Sequence, residues 1–208
     1  MLNIAVFGSG KGSNFQAIFS AIQEGKIPNT RICLVVSNNS NAGILDIARA
    51  NSLPAAHISQ KNFPGEAEFV SALLQTLRNH GANFLVLAGY MKRLHPQIID
   101  AFRNHIVNIH PALLPKYGGQ GMYGVHVHQA VIAANEPYSG ATVHLVDEEY
   151  DRGAIVLQKK VAVSPDDTPE TLAAKILCIE HEIYPEAIRL FAEGGVHIGK
   201  NERAVHNT

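Results

Sequence analysis

An asparagine and a histidine stand two residues apart in the segment VNIHPALLP, and both side chains could take part in acyl chemistry. Residues two apart on a strand project to the same face, so we expect Asn108 and His110 to point the same way. An amide N–H can stabilise an oxyanion, and an imidazole can carry a proton near neutral pH. Taken alone, such a pair is more often structural than catalytic, so both interpretations stay open at this point.

The glycine-rich segment GSGKGSN, residues 8–14, is a candidate anion site. Glycines let backbone N–H groups approach a phosphate, and a helix start adds a positive partial charge. The order of residues does not match a P-loop, and no carboxylate follows the second strand to hold a ribose, so NAD binding is disfavoured. The alternative interpretation is a tight turn with Ser13 or Asn14 as the N-cap. Both interpretations can hold at once.

The acidic run DEEYD supplies four carboxylates, at Asp147, Glu148, Glu149 and Asp151. A carboxylate beside an imidazole favours the charged imidazolium. The run alone does not show which of the four would do so, and a solvated turn is the alternative interpretation.

Histidines at positions 126, 128 and 144 suggest a zinc site, since three imidazoles can hold that metal. No thiolate or carboxylate motif accompanies them, so we predict no metal. We expect His126 and His144 to support the active residues from outside, and His128 to cap a helix or face solvent.

Apolar runs alternate with helix-period segments over the first hundred residues. Strands are predicted over 2–7, 31–37, 83–89 and 105–110, with helices between them, one of which ends at Gly81. Continuously apolar strands in this βαβα order predict a parallel sheet with helices on both faces.

The second half predicts an antiparallel strand pair around the acidic turn. A helix follows from Pro169 to about Glu193, capped by Asp167 or Thr168, and Pro185 should break or kink it. We expect residues 116–130 to form a glycine-rich loop that could act as a lid. The predicted fold class is a single α/β domain over 1–208, with a polar tail at about 199–208.

The composition narrows the functional class. The 208 residues carry a net charge of −1, with 46% apolar and 17% charged residues, as in soluble globular proteins. No strongly basic surface for nucleic acid is indicated. The apolar stretch 84–91 is far short of the ~20 residues that span a bilayer, and the N-terminus lacks a signal-peptide pattern. Two cysteines indicate a reduced, cytoplasmic compartment.

Three segments together resemble the folate-dependent formyltransferases: GSGKGSN, N-I-H-P-A-L-L-P at 108–115 and D-R-G-A-I-V-L-Q at 151–158. The resemblance extends from Leu2 to about Glu193. It implies a Rossmann-like fold and formyl transfer from the co-substrate 10-formyltetrahydrofolate to the amine of a glycinamide ribotide in de novo purine synthesis, with no metal.

The same resemblance assigns roles to residues. It implies a catalytic set of Asn108, His110 and Asp151, in which Asn108 and protonated His110 stabilise an oxyanion and Asp151 keeps His110 charged. It implies ribotide contacts at Gly12, Ser13, Asn14 and Glu180. The folate is expected to meet Met91, Lys92, Arg93, Leu94, Asn108, Val146 and Asp147. The chain departs from the family pattern at Leu177, Glu66 and Lys92-Arg93.

Other functions stay open as alternatives. A formyltetrahydrofolate hydrolase shares the three catalytic residues but transfers the formyl group to water. Transfer to methionyl-tRNA is disfavoured, because no basic surplus is present to bind the tRNA. A folate-binding module without catalysis is a non-enzymatic alternative. We expect small-molecule substrates, neither nucleic acid nor membrane as partner, and a monomer or homodimer.

Overall fold

The structure is a computed structural model that describes residues 1–198 and 204–206. The strands are β1 (Leu2–Phe7), β2 (Thr30–Ser37), β3 (Ala55–His57), β4 (Phe84–Leu87), β5 (Ile106–His110), β6 (Tyr138–Leu145), β7 (Ile155–Ala162), β8 (Val196–Ile198) and β9 (Ala204–His206). The helices are α1 (Ser13–Gln23), α2 (Gly43–Ala50), α3 (Glu66–Asn79), α4 (Pro96–Ala101), α5 (Val125–Ala133) and α6 (Pro169–Ala192), with a 3-10 turn at Gln60–Asn62.

The first seven strands form one sheet in the order β3-β2-β1-β4-β5-β6-β7, and β8 pairs with β9. β1 is parallel to β2 and β4, and β2 is parallel to β3, whereas β6 and β7 are antiparallel. The predicted α/β class with an antiparallel strand pair and a C-terminal helix is confirmed. The chain forms two compact units, Met1–Val107 and Asn108–Thr208. One domain over 1–208 stays a prediction.

In the first unit, apolar strands and one face of each long helix form the core. All four residues of β4 are buried, as are the last four of β1. Helix α3 buries Val70, Leu73 and Leu77, at the spacing of one helical face. Gly81 follows α3 with φ 66°, the left-handed conformation expected of a glycine after a helix end.

The glycine loop enters α1 in a different way from the one predicted. Gly12, and neither Ser13 nor Asn14, is the N-cap, and its φ is 84°. A Cβ at Gly12 would lie 2.9 Å from the Cα of Ile44. Glycine is therefore required twice here, for the left-handed backbone and for the close approach of α2.

In the second unit, α6 packs on β6, β7 and α5. Its N-terminus has a capping box. The backbone N–H of Thr171 donates to the Thr168 hydroxyl, and the backbone N–H of Thr168 donates to the Thr171 hydroxyl. Pro185 lies inside α6 and does not end it, so the helix is not broken there, and a kink stays a prediction. A proline inside a helix costs about 3 kcal/mol. The buried side chains around it, among them Ile183, Tyr184 and Ala187, offset that cost.

Two further expectations change in this unit. Helix α5 begins at Val125, so the loop predicted over 116–130 ends at Gly124. Burial of Val127, His128 and Val131 explains the helix. Of the tail predicted at 199–208, Ala204–His206 form β9, and the rest lies outside the described residues. No helix in the described ranges combines the length and the apolar character needed to cross a membrane.

We expect Gly140→Ala to destabilise the protein. A Cβ at Gly140, in β6, would lie 2.1 Å from the carbonyl oxygen of Lys159 in β7. Overpacking of this kind costs roughly 1–3 kcal/mol, so urea denaturation should show a lower free energy of unfolding. Gly195→Ala is the control, because its Cβ would meet Leu190 at an ordinary 3.5 Å. Equal stability of the two variants would contradict the prediction.

Candidate active site

Asn108 and His110 lie at the end of β5 and reach one cluster of polar side chains. His110 is buried, and Asn108 is half-buried. The Nδ2 of Asn108 is 3.2 Å from the Nε2 of His144, a residue of β6. The strand pattern N-x-H thus places the amide and the imidazole together, within the second unit.

Asp151 lies between two imidazoles. Its Oδ2 is 3.5 Å from Nδ1 of His110, and its Oδ1 is 3.5 Å from Nε2 of His144. The backbone N–H of Gly119 donates to Oδ2 at 2.9 Å. Asp151 has φ 55°, a conformation that Asp adopts more readily than most residues. Its side chain is only 12% exposed.

The structure distinguishes Asp151 from other carboxylates of the acidic run. Asp147 accepts a hydrogen bond from the backbone N–H of Glu149 at 2.8 Å. Glu149 itself lies 3.3 Å from Arg152. Both contacts stay within the turn, whereas Asp151 reaches the two histidines. The geometry therefore identifies Asp151 as a carboxylate beside the histidines, a choice that the sequence left open.

Hydrogen bonds set the proton positions on both imidazoles. Nδ1 of His144 donates to the carbonyl of Leu145 at 2.7 Å, and Nε2 of the same ring lies 3.2 Å from Nδ2 of Asn108. Nε2 of His110 donates to the carbonyl of Tyr117 at 2.7 Å. The lone pair of His110 is then on Nδ1, the atom that faces Asp151.

Burial controls the charge state of the pair. Burial lowers the pKa of His110, and the charge of Asp151 and the Tyr117 carbonyl only partly offset this, so the net pKa is below its usual value. Burial raises the pKa of Asp151, but hydrogen bonding to His144, the charge of His110 and the Gly119 N–H together bring the pKa below its usual value. An ionised Asp151 beside a neutral His110 follows at neutral pH. The charge of Asp151 acts on His110 in the expected direction, and a charged His110 in the reacting site stays a prediction.

Gln158 is the last residue of the segment D-R-G-A-I-V-L-Q, and its side chain binds the backbone that follows β5. Its amide donates to the carbonyl of Leu114 at 3.0 Å and to the hydroxyl of Thr142 at 2.8 Å. The Thr142 hydroxyl in turn donates to the carbonyl of Ala112 at 2.6 Å. This network holds the backbone that leaves β5 directly after His110.

The two histidines of α5, His126 and His128, differ in their burial. His128 is buried, and its Nδ1 has no hydrogen-bond partner within the described part of the chain. Burial lowers the pKa of His128, and the nearby His110 lowers it further. His126 is exposed, with its ring edge-on to Tyr123 at 5.5 Å. The expectation that His128 caps a helix or faces solvent is wrong.

In the first unit, the glycine loop is tied to the segment predicted to bind folate. The hydroxyl of Ser9 accepts from the backbone N–H of Met91 at 2.9 Å and donates to the side chain of Asn38. The backbone N–H of Ser9 donates to the carbonyl of Gly89 at 3.0 Å. Ser9 was missed in the sequence because a serine among glycines gives no distinct signal. Ser13 is exposed at the first position of α1.

The remaining predicted residues are placed as follows. In the first unit, Leu94 is buried, whereas Met91, Lys92 and Arg93 are exposed, and Glu66 lies 3.8 Å from His95. In the second unit, Glu180 is buried on α6, Leu177 is exposed, and Val146 and Asp147 are half-buried after β6. Over 1–198 and 204–206, no three His, Cys, Asp or Glu side chains are arranged to hold a metal.

An α/β fold with an amide, an imidazole and a carboxylate grouped at a strand end is an arrangement suited to chemistry at a carbonyl carbon. Comparison with known proteins narrows the class. The family model described as formyl transferase matches residues 2–188. The chain belongs to this formyl transferase family.

Individual relatives agree with the family. The chain is 41% identical to phosphoribosylglycinamide formyltransferase of Haemophilus influenzae, over 97% of this chain and 92% of that protein. It is 42% identical to the chloroplastic enzyme of that name from Arabidopsis thaliana, over 91% of this chain, and spans 65% of that protein's length. The crystal structure of glycinamide ribonucleotide transformylase 1 from Symbiobacterium toebii matches with a TM-score of 0.92 at 38% identity, over 100% of this chain and 95% of that one.

We expect Asp151→Asn to lower the pKa of His110. The carboxylate raises that pKa by stabilising the imidazolium, and an amide cannot, so His110 should titrate at lower pH. An NMR pH titration of the histidine ring protons measures this, with the His110 signal assigned by its absence in His110→Asn. Asp147→Asn, in the same acidic run, is the control. A shift in the control variant alone would reject the coupling between Asp151 and His110.

Proposed function

We propose that the protein transfers the formyl group of 10-formyltetrahydrofolate to the amine of N1-(5-phospho-β-D-ribosyl)glycinamide, a step of de novo purine biosynthesis. The observation that carries the proposal is the cluster of Asn108, His110, His144 and Asp151, whose contacts supply both an oxyanion donor and a proton carrier. Membership of the formyl transferase family supports the choice of a formyl group.

The proposed reaction forms and breaks one C–N bond. The amine nitrogen of the ribotide attacks the formyl carbon, and the carbonyl oxygen becomes an oxyanion. One N–H of Asn108 is engaged by His144, which leaves the second N–H to donate to that oxyanion. Collapse of the intermediate breaks the bond between the formyl carbon and the folate N10.

His110 carries the proton in this scheme. The attacking amine must lose a proton, and the folate N10 must gain one. Neutral His110 has its lone pair on Nδ1, so it can accept the proton there and become an imidazolium 3.5 Å from the Asp151 carboxylate. The imidazolium then strengthens the oxyanion site before it returns the proton to N10, directly or through a bound water.

We also propose contacts for the two substrates. The backbone of Gly12, Ser13 and Asn14 opens α1 and offers N–H groups to the ribotide phosphate. Glu180 is assigned to other polar groups of the ribotide. Backbone and side chains at 91–94, with Asn108, Val146 and Asp147, are assigned to the folate. These assignments rest on the family resemblance.

We further propose a cytoplasmic enzyme that needs no metal and acts as a monomer or homodimer on small molecules. Cys33 and Cys178 are both free thiols, which suits a reduced compartment.

Deformylation of 10-formyltetrahydrofolate by the purified protein, measured with and without the ribotide, tests the function. We expect loss of the formyl group only when the ribotide is present, with formylated ribotide as the product. Equal loss without ribotide would instead identify a hydrolase. No loss in either case would indicate a folate-binding module.

Asn108→Ala and His110→Ala should each retain the fold and lose turnover. Removal of an oxyanion donor costs about 10²–10³ in kcat, and removal of a proton carrier costs about 10²–10⁴. Steady-state kinetics with both substrates measures the loss, and circular dichroism checks the fold. His105→Ala, an exposed histidine just before β5, is the matched control. Near-full activity of either site variant would remove that residue from the catalytic set.

A further inference from the structure

Residues 117–119 touch both members of the His110–Asp151 pair through their backbone. The Tyr117 carbonyl accepts the His110 Nε2–H at 2.7 Å, and the Gly119 N–H donates to Asp151 at 2.9 Å. Between them, Gly118 packs so closely that a Cβ there would lie 3.2 Å from the Cβ of Asp151. The conformation of this short segment therefore sets the orientation of both catalytic side chains.

The segment adopts a conformation that its own sequence does not favour. Tyr117 has φ 58° and Gly119 has φ 98°, both in the left-handed region. A tyrosine is strained in that region, so contacts elsewhere must hold it there.

Glu136 supplies those contacts. One carboxylate oxygen, Oε1, accepts from the Tyr117 hydroxyl at 2.9 Å and from the Lys116 ammonium at 2.8 Å. Glu136 lies just after α5, where its backbone N–H donates to Val131. Its side chain is 22% exposed, and hydrogen bonds to Lys116 and Tyr117 lower its pKa, so it is ionised at neutral pH. The side chains of Tyr117, the first residue of the segment, and of Lys116 just before it are thus both bound to one carboxylate.

We propose that Glu136 is a positioning residue, which fixes Lys116 and Tyr117 so that the backbone of 117–119 holds His110 and Asp151 in their reactive arrangement. The proposal rests on the formyl transfer proposed above. It assigns to Glu136 no contact with substrate. By holding the Tyr117 carbonyl against Nε2 of His110, Glu136 keeps the lone pair on Nδ1, where the proton is to be accepted.

Three variants test the proposal: Glu136→Ala, Glu136→Gln and Tyr117→Phe. Displacement of a catalytic group by about 1 Å can cost ~100-fold. We expect kcat to fall about 10- to 100-fold in Glu136→Ala, with little change in KM for either substrate. Glu136→Gln should lose less, because its amide oxygen still accepts the Tyr117 hydroxyl. Tyr117→Phe leaves the Lys116–Glu136 ion pair intact and should also lower kcat, so the test survives if Glu136→Ala folds poorly.

The titration of His110 separates positioning from a general loss of stability. His110 is faced by Asp151, His144, His128 and the Tyr117 carbonyl. The Tyr117 carbonyl and Asp151 both raise its pKa, so loosening the segment should move the NMR titration of His110 to lower pH. Glu182→Gln, which removes another exposed Lys–Glu pair among the described residues of this unit, the one with Lys159, should leave kcat and the His110 titration unchanged.

Unchanged kcat and unchanged titration in both Glu136→Ala and Tyr117→Phe would overturn the proposal. A raised kcat would also overturn it, because the segment would then block His110 instead of orienting it. A titration that shifts in a protein unable to formylate the ribotide would reject the proposed function and leave the positioning of His110 standing.

Discussion

The carboxylate of Asp151, held out of water between two imidazoles, is the group on which the rest of the site depends. Burying a carboxylate is costly unless hydrogen bonds and opposite charge replace its hydration. Here the Gly119 N–H donates to the carboxylate, and the His110 ring of β5 and the His144 ring of β6 lie 3.5 Å from its two oxygens. Each of these contacts also constrains a side chain of the candidate site. The same interactions that make the buried charge tolerable therefore assemble the active site.

The charge state of the pair matches the chemistry proposed for it. Burial acts on both groups and disfavours charge on each, but only Asp151 has enough donors to remain ionised. A neutral imidazole next to an ionised carboxylate is ready to accept a proton, and the imidazolium becomes most favourable when that proton arrives. The reaction needs a carrier that takes a proton from an amine and gives it to another nitrogen. A histidine that was charged from the start could give a proton but could not accept the first one.

Much of the fold followed from hydrophobic periodicity, and the failures have physical causes. Apolar strands such as Leu2–Phe7 and the stripe of α3 are set by burial, which the sequence pattern records directly. Helix α5 was missed because its histidines and the preceding glycines resemble a loop, while its helical structure depends on tertiary burial of His128 and its neighbours. Pro185 does not break α6 because side-chain packing along the helix offsets the energetic cost of the proline.

Whether a site residue could be predicted from the sequence depends on whether its contacts are made by the side chain or by the backbone. Asn108 and His110 could be predicted from the sequence because the proposed chemistry uses their side chains. Tyr117, Gly119 and Leu145 contribute carbonyl or N–H groups, which any residue possesses, so these positions carry no direct signature. What such positions require is a backbone conformation. That requirement is expressed indirectly, in glycines that allow close approach and in distant side chains such as Glu136 that stabilise a left-handed tyrosine. The geometry of His110 and Asp151 therefore depends on residues outside their immediate contacts, such as Glu136 through Tyr117.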